Sequence, residues 1–294
     1  MSSKIAIITD TSSTILPDEL SDVYVVSLLV TINDQKTYLD GRELTSKDLY
    51  NYFLNNSSGN VKTSLPRATD VIDTLNQVVD KYEHVIMLPI SSGLSGTYNQ
   101  WKMIVENEFA SKNNIHIFDT QDTAISLRWL VVEVKKLAEN GASIAEIQKY
   151  VEDWHSRISC VVILNDLTQA RNGGRIGKVT SYIGGILRIK PILHFHNGKN
   201  TIISKKPTNK LAIMHSMDVF DKIFNFAKNK IEKVGFCNSF ISLEKISKTL
   251  SDLKEILKKY NVTNIEEAPI TPIIGAHTGN DAFSINILVK SFSK

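Results

Sequence analysis

The chain has 294 residues, 42% hydrophobic and 22% charged, which is the composition of an ordinary globular protein at a length that favours two domains over one. Its net charge of +3 comes from 34 basic and 31 acidic residues without a long run of one sign, which argues against nucleic-acid binding. No apolar stretch approaches the ~20 residues that span a bilayer, and Met1-Ser2-Ser3-Lys4 leads straight into a β-like run, so the sequence reads as a soluble cytoplasmic protein with at most transient membrane-surface contact.

Taken in chain order, Ile5-Ala6-Ile7-Ile8 opens a series of short β-branched runs that continues with Val23-Tyr24-Val25-Val26, Val85 to Leu88 and Ile115-His116-Ile117-Phe118. Helical spacing separates them, in Val71, Leu75, Val78 and Val79, in Leu130, Val134, Leu137 and Ala138, and in Ile144, Ile147 and Val151; Gly141 is expected to end one of these helices. The alternation predicts a parallel sheet covered by helices. Three of these strand ends are rich in short polar side chains: Thr9-Asp10-Thr11-Ser12-Ser13 after the first, Ser91-Ser92 after the third, Asp119-Thr120 after the fourth. Ligands collect at the carboxyl ends of parallel strands, although helix capping alone accounts for many such residues.

Two loops in this half attract attention. In Thr63-Ser64-Leu65-Pro66, Ser64 is suited to be a helix N-cap and Pro66 to the first turn, while Thr63, just outside the cap, is a candidate to point a hydroxyl into a cleft. Ser91-Ser92-Gly93-Leu94-Ser95-Gly96-Thr97-Tyr98 reads as a small-residue turn opening a helix, where unpartnered N–H groups and the helix dipole favour an anion. It lacks the Gly-Lys-Ser/Thr ending of a P-loop. Thr97 stands where the second glycine of a nucleophile elbow belongs. A serine hydrolase acting on an acyl ester, with Ser95 as nucleophile, His277 as base and Asp10 or Asp119 as orienter, stays open as an alternative. So does a binding protein for a small phosphorylated metabolite.

A second series begins at Ile158 to Leu164 and continues through Pro191-Ile192-Leu193 and Thr201-Ile202-Ile203 to Phe283 to Val289, with long helical patterns near Leu211 to Ile231 and Ile241 to Tyr260. It predicts an α+β domain over 158–294, following an α/β domain over 1–157. Cys160 and Cys237 form no Cys-x-x-Cys pair and fit buried thiols better than a disulfide or a zinc site. His194 and His196 are spaced to share a strand face, but no histidine has Cys, Asp or Glu at metal-ligand spacing, so neither a metal nor a cofactor is expected. Arg171-Asn172-Gly173-Gly174-Arg175-Ile176-Gly177-Lys178 reads either as a turn on a solvated basic face or as a docking surface for an acidic or nucleotide-bearing partner.

Six motifs in order, Ile8-Thr9-Asp10-Thr11-Ser12, Thr63-Ser64-Leu65-Pro66, Ser91 to Tyr98, Gly173-Gly174-Arg175-Ile176, Lys190-Pro191-Ile192-Leu193 and Ile274-Gly275-Ala276-His277-Thr278-Gly279, resemble those of the DegV family of bacterial fatty-acid-binding proteins. The resemblance implies two α/β domains holding a long-chain fatty acid. Its carboxylate would be bound by Thr63, Ser95 and His277, supported by Thr11, Ser64, Ser92, Gly96, Thr97 and Thr278. It also implies a non-catalytic subunit that presents the acid to a separate ATP-dependent fatty acid kinase for phospholipid synthesis, with Arg171, Arg175 and Lys178 as docking candidates. Three stretches depart from the family pattern: Ala124-Ile125-Ser126-Leu127-Arg128 replaces a Ser-x-Gly-x-Gly run, Gly279-Asn280-Asp281-Ala282 replaces Gly-Pro-Gly-Ala, and an arginine is replaced near Pro207-Thr208. The bulk at 126 and 128 is expected to reshape the tail pocket or displace the adjoining helix.

Overall fold

The computed structural model describes residues 4–56, 59–165, 167–175 and 189–290. The chain divides into two compact units, one of Met1–Thr45, Asn60–Ser156 and Thr271–Ile273, the other of Ser46–Gly59, Arg157–Ile270 and Ile274–Lys294. It is a mixed α/β protein with a parallel-sheet N-terminal region followed by a sheet-plus-helix region.

In the first unit, β1 (Ile5–Asp10) and β2 (Val23–Val26) are followed by β3 (Leu29–Ile32) and β4 (Lys36–Leu39). The chain then gives α1 (Ser46–Asn55) to the second unit and returns as β5 (Val61–Ser64), α2 (Ala68–Val78), β6 (His84–Leu88), α3 (Thr97–Glu108), β7 (Ile115–Ile117), α4 (Ala124–Glu139) and α5 (Ile144–Arg157). The four apolar runs read from the sequence form one parallel sheet in the order β2-β1-β6-β7. All six residues of β1 are buried, as a strand covered on both faces requires. Ala6, Ile8, Val85 and Met87 pack with Val71, Leu75 and Val78 of α2 and Trp101 and Ile104 of α3. Gly141 ends α4 with φ +79°, as its position in the sequence predicted.

A three-stranded antiparallel sheet, β4-β3-β5, was not foreseen. Its strands have four residues each and are half exposed, so they carry little periodicity. Asn33 and Asp34, both at φ +55°, close the β3–β4 hairpin and were its one local signature.

The second unit holds β8 (Ile158–Ile163), α6 (Thr168–Gly173), β9 (Lys190–His196), β10 (Lys199–Lys206), α7 (Asn209–Phe224), β11 (Ile231–Asn238), α8 (Leu243–Leu257), β12 (Glu266–Pro269), β13 (Phe283–Val289) and, from Ile274 on, α9 (Pro272–Thr278). Its sheet runs β10-β9-β8-β13-β11-β12, antiparallel except between β11 and β12. Phe236, Phe283 and Ile285 of the sheet pack with Phe220 and Phe224 of α7 and Leu253 and Leu257 of α8. The helical pattern from Leu211 stops at Phe224, where Asn225 takes the left-handed region, and Ile231 begins a strand that the spacing had merged into the helix. Among the described residues no helix is long and apolar enough to cross a membrane.

Candidate functional site

The strand order of the first sheet reverses between β1 and β6, the place where ligands of open α/β sheets bind. The loop Pro89 to Gly96 leaves β6 at that point and runs into α3, whose N-cap is Gly96. Short polar side chains hold the loop against its neighbours. Asp10 accepts from the Ile90 N–H at 2.7 Å and from the Ser12 N–H at 2.9 Å and hydroxyl at 2.5 Å; Thr9 donates to the Leu88 carbonyl at 2.8 Å and Thr120 to that of Pro89 at 2.7 Å. The Ser91 N–H donates to the Asp122 carbonyl at 2.9 Å. These side chains join the loops after β1, β6 and β7 to one another, and Asp10 also caps the short helical turn Thr11–Ser13.

Ser92 and Asp119 belong to the same stitching, through the Ser92 N–H at 3.0 Å and a short hydroxyl–carboxylate hydrogen bond. Ser95 is engaged locally: its hydroxyl lies 2.8 Å from that of Thr97 and accepts from the Thr97 N–H at 3.3 Å. Thr97 is fully buried in the first turn of α3, while Ser95 is half-buried. Two hydroxyls thus stand at the positive end of a twelve-residue helix, where a carboxylate or phosphate is stabilised.

Thr63 lies in β5, paired with Val30 of β3, and is half-buried. The expectation for Ser64 and Pro66 is corrected. Helix α2 begins at Ala68 with Arg67 at its N-cap position, and Ser64 is the exposed last residue of β5. Strand pairing runs through Ser64, the residue that the capping pattern made the N-cap, so the helix starts later, at Ala68. The Thr63 to Pro66 segment nevertheless abuts the Ser91 loop: the Gln100 amide donates to the Pro66 carbonyl at 3.0 Å, and Gly96 adjoins Leu65, whose methyl would lie 3.6 Å from a Cβ at 96. Thr11 is buried and accepts from the Leu28 N–H at 3.2 Å, so it secures the entry to β3.

Sequence reasoning missed two buried carboxyls of this unit. Both Asp40 oxygens are buried; the Thr11 hydroxyl and the Ile273 and Gly41 amides lie toward it but none closes a hydrogen bond of normal geometry. Burial raises its pKa to about 7, and the charge of Asp10 pushes the same way. Asp122 is likewise raised to about 7 by burial, although the Trp154 indole, the Thr123 N–H and the Ser126 hydroxyl all donate to it. Asp10 is raised to about 6 by burial, against three donated hydrogen bonds. Ser126 and Arg128, which stand where the resemblance expects glycines, both have partners in this unit. Ser126 serves Asp122, and Arg128 forms an ion pair with Glu19 and donates to the Thr14 carbonyl at 3.3 Å.

In the second unit His277 sits in the last turn of α9. The helix is held by α1: Gly275 lies against Tyr50 and Leu49, the Tyr50 hydroxyl donates to the Ile270 carbonyl at 2.6 Å, and the Asn280 amide donates to the Tyr50 carbonyl at 3.2 Å. The loop that follows is fixed by the Ser239 hydroxyl donating to the Gly279 carbonyl at 2.8 Å and by a 2.5 Å Lys245–Asp281 ion pair. Burial first, and the Arg175 charge second, lower the His277 pKa to about 4, so the ring is neutral at pH 7. Thr278, the last residue of α9, has a buried hydroxyl oxygen without a hydrogen-bond partner among the described residues. Arg171 and Arg175 are exposed at the end of α6 and just beyond it, and Lys178 lies outside the described residues. Thr208, near the family's missing arginine, caps α7 by accepting from the Leu211 N–H at 3.3 Å.

Cys160 and Cys237 are buried free thiols. His194 and His196 do share a face of β9, stacked with centroids 5.3 Å apart, and His194 lies 2.7 Å from the Ser159 hydroxyl. No group of three metal-ligating side chains occurs among the described residues.

The model of the DegV family, described as "Uncharacterised protein, DegV family", matches residues 4–290. A DegV domain-containing protein of Mycoplasma pneumoniae is 38% identical over 97% of this chain and 98% of its own, and one of Staphylococcus aureus is 27% identical over the same shares. Among solved structures, a fatty acid binding DegV family protein from Streptococcus agalactiae is 27% identical with a TM-score of 0.82, covering 97% of this chain and 99% of that one. A DegV family protein from Thermus thermophilus, whose structure is described by its fatty acid binding, superposes with a TM-score of 0.84 at 22% identity and the same coverage. With a family match running from the first strand to the last and the two-unit architecture on which it rests, the chain belongs to the DegV family.

Proposed function

We propose that this protein is a non-catalytic carrier that binds a long-chain fatty acid, with Thr63, Ser95 and His277 as the donors to its carboxylate. The observation that carries the reading is the family match over residues 4–290 together with the likeness to the Streptococcus agalactiae fatty acid binding protein. The local chemistry agrees. A buried carboxylate needs several donors in place of water, and the Ser95–Thr97 hydroxyls at the start of α3 offer them at the sheet's switch point. A neutral imidazole gives a donor without adding a charge. The tail supplies affinity at about 0.8 kcal/mol per buried CH₂. Ser95 acts as a hydrogen-bond donor and not as a nucleophile, since its hydroxyl is engaged with Thr97, while Asp10 and Asp119 are occupied by Ser12, Ile90 and Ser92.

The finer reading we propose extends the sequence resemblance: a cytoplasmic protein whose bound acid is phosphorylated by a separate ATP-dependent kinase subunit docking at Arg171, Arg175 and Lys178. Organic extraction and mass spectrometry of protein purified from a lipid-replete host should yield one long-chain fatty acid per chain. An empty protein that also fails to take up added palmitate defeats the proposal. Ser95→Ala and Thr63→Ala should each weaken palmitate binding by about 1–3 kcal/mol, and unchanged affinity in both would reject the head-group assignment. Ester turnover abolished by Ser95→Ala would favour the hydrolase instead.

A further inference from the structure

Gly173 and Gly174 stand side by side at the end of α6 and are glycine for different reasons. Gly174 has φ +69° and caps the helix in the left-handed region, and a Cβ there would meet nothing within 4 Å. Gly173 is the last helical residue and has no such backbone demand, but a Cβ at 173 would lie 2.0 Å from Nδ1 of His277, 2.7 Å from Cε1 and 3.2 Å from Cγ. The Nδ1–Cε1 edge of the imidazole is therefore pressed onto the bare backbone of α6. Contacts under 3.0 Å to a real Cβ do not occur, so any side chain at 173 must move the ring. The ring cannot simply retreat, because α9 is held from behind by Gly275 against Tyr50 and by the Asn280 and Ser239 hydrogen bonds that follow it.

We infer that Gly173 is a positioning residue: α6 forms a seat against which the Nδ1–Cε1 edge of the His277 ring is packed. The Arg171–Arg175 segment is then more than a basic turn. Its backbone sets the geometry of a proposed head-group donor 104 residues further along the chain, and the Arg175 guanidinium, donating back to the Gly173 carbonyl at 2.6 Å, helps to hold that backbone in place. The ligand-facing part of the inference rests on the fatty-acid reading; the seat itself does not.

The test uses the full-length protein, with the His277 ring followed by NMR titration in wild type, Gly173→Ala and Gly174→Ala. In wild type the ring should titrate near 4, and Gly173→Ala should move it toward the ordinary histidine range as the ring leaves its buried seat. Gly174→Ala should lower thermal stability while leaving the His277 titration where it is. An unmoved ring in Gly173→Ala, or an equal shift in both variants, overturns the proposal. Palmitate affinity should fall about tenfold in Gly173→Ala and no further when the change is made in a His277→Ala background, because one hydrogen bond to an anion is lost either way. A displaced ring with unchanged palmitate affinity leaves the seat standing and removes His277 from the head-group site. If Gly173→Ala does not fold, the double variant with His277→Ala should restore folding by vacating the space, and its failure to fold overturns the seat.

Discussion

Asp40 lies in an ordinary Leu-Asp-Gly sequence, and the surrounding residues give no hint that both its oxygens are buried with no hydrogen bond of normal geometry among the described residues. A buried carboxyl of this kind keeps its proton to a pH where a solvated one has lost it. The sign follows from the two states. The unfolded chain releases the proton near 3.8 and the folded one near 7, so between those values the folded state binds more protons. The stability this group contributes is present below the unfolded value and is lost as pH rises toward 7, by roughly 1.4 kcal/mol per pH unit within the window. Asp40→Asn, which cannot ionise, should therefore raise the denaturation midpoint at pH 8 and have little effect at pH 4. A gain of equal size at both pH values would show that the charge is not the cause.

At the scale of elements, α9 is the clearest case of a segment whose sequence says one thing and whose surroundings decide another. Thr271 to Gly279 reads as a loop, with proline at its start and two glycines, yet Pro272–Thr278 is helical. Proline is tolerated in a first turn. Gly275 in its middle, normally a cost of about 1 kcal/mol in a helix, is what lets α9 approach α1, since a Cβ there would lie 2.7 Å from the Tyr50 hydroxyl and 2.9 Å from its ring. Gly275→Ala should destabilise the second unit by about 1–3 kcal/mol despite the better helix propensity of alanine. A double-mutant cycle with Tyr50→Phe should show coupling between the two positions, because the hydroxyl is the nearest atom; additive effects would place the cost elsewhere.

Across the whole molecule the largest carboxyl and histidine shifts separate by unit. Asp10, Asp40 and Asp122, raised to between about 6 and about 7, belong to the first; His194 and His277, both lowered to about 4 by burial, belong to the second. The histidines have the opposite sign. Unfolded, they bind protons below about 6.5, which the folded ring refuses, so their contribution is full above that value and is lost as pH falls toward 4. Raising the pH from 5 to 8 should loosen the core of the first unit and tighten that of the second. Hydrogen exchange by mass spectrometry, corrected for intrinsic rates, reads both at once, and parallel changes in the two units would contradict the assignment.

The sequence by itself determined the elements whose patterns are long or repeated: the four strands of the parallel sheet, the helices at Val71, Leu130 and Ile144, the strands at Ile158 and Phe283, and the order of the family motifs. Hydrophobic periodicity is a local property, and a buried strand or an amphipathic helix announces itself in its own residues. Tertiary structure decided what depends on partners far away in the chain. It joined Ser92, Asp119 and Asp10 to neighbouring loops, made a helix of Pro272–Thr278, sent α1 to the second unit, and set Gly173 beneath His277. Each of these outcomes depends on which backbone or side chain lies within 3 Å, a distance that sequence spacing cannot encode.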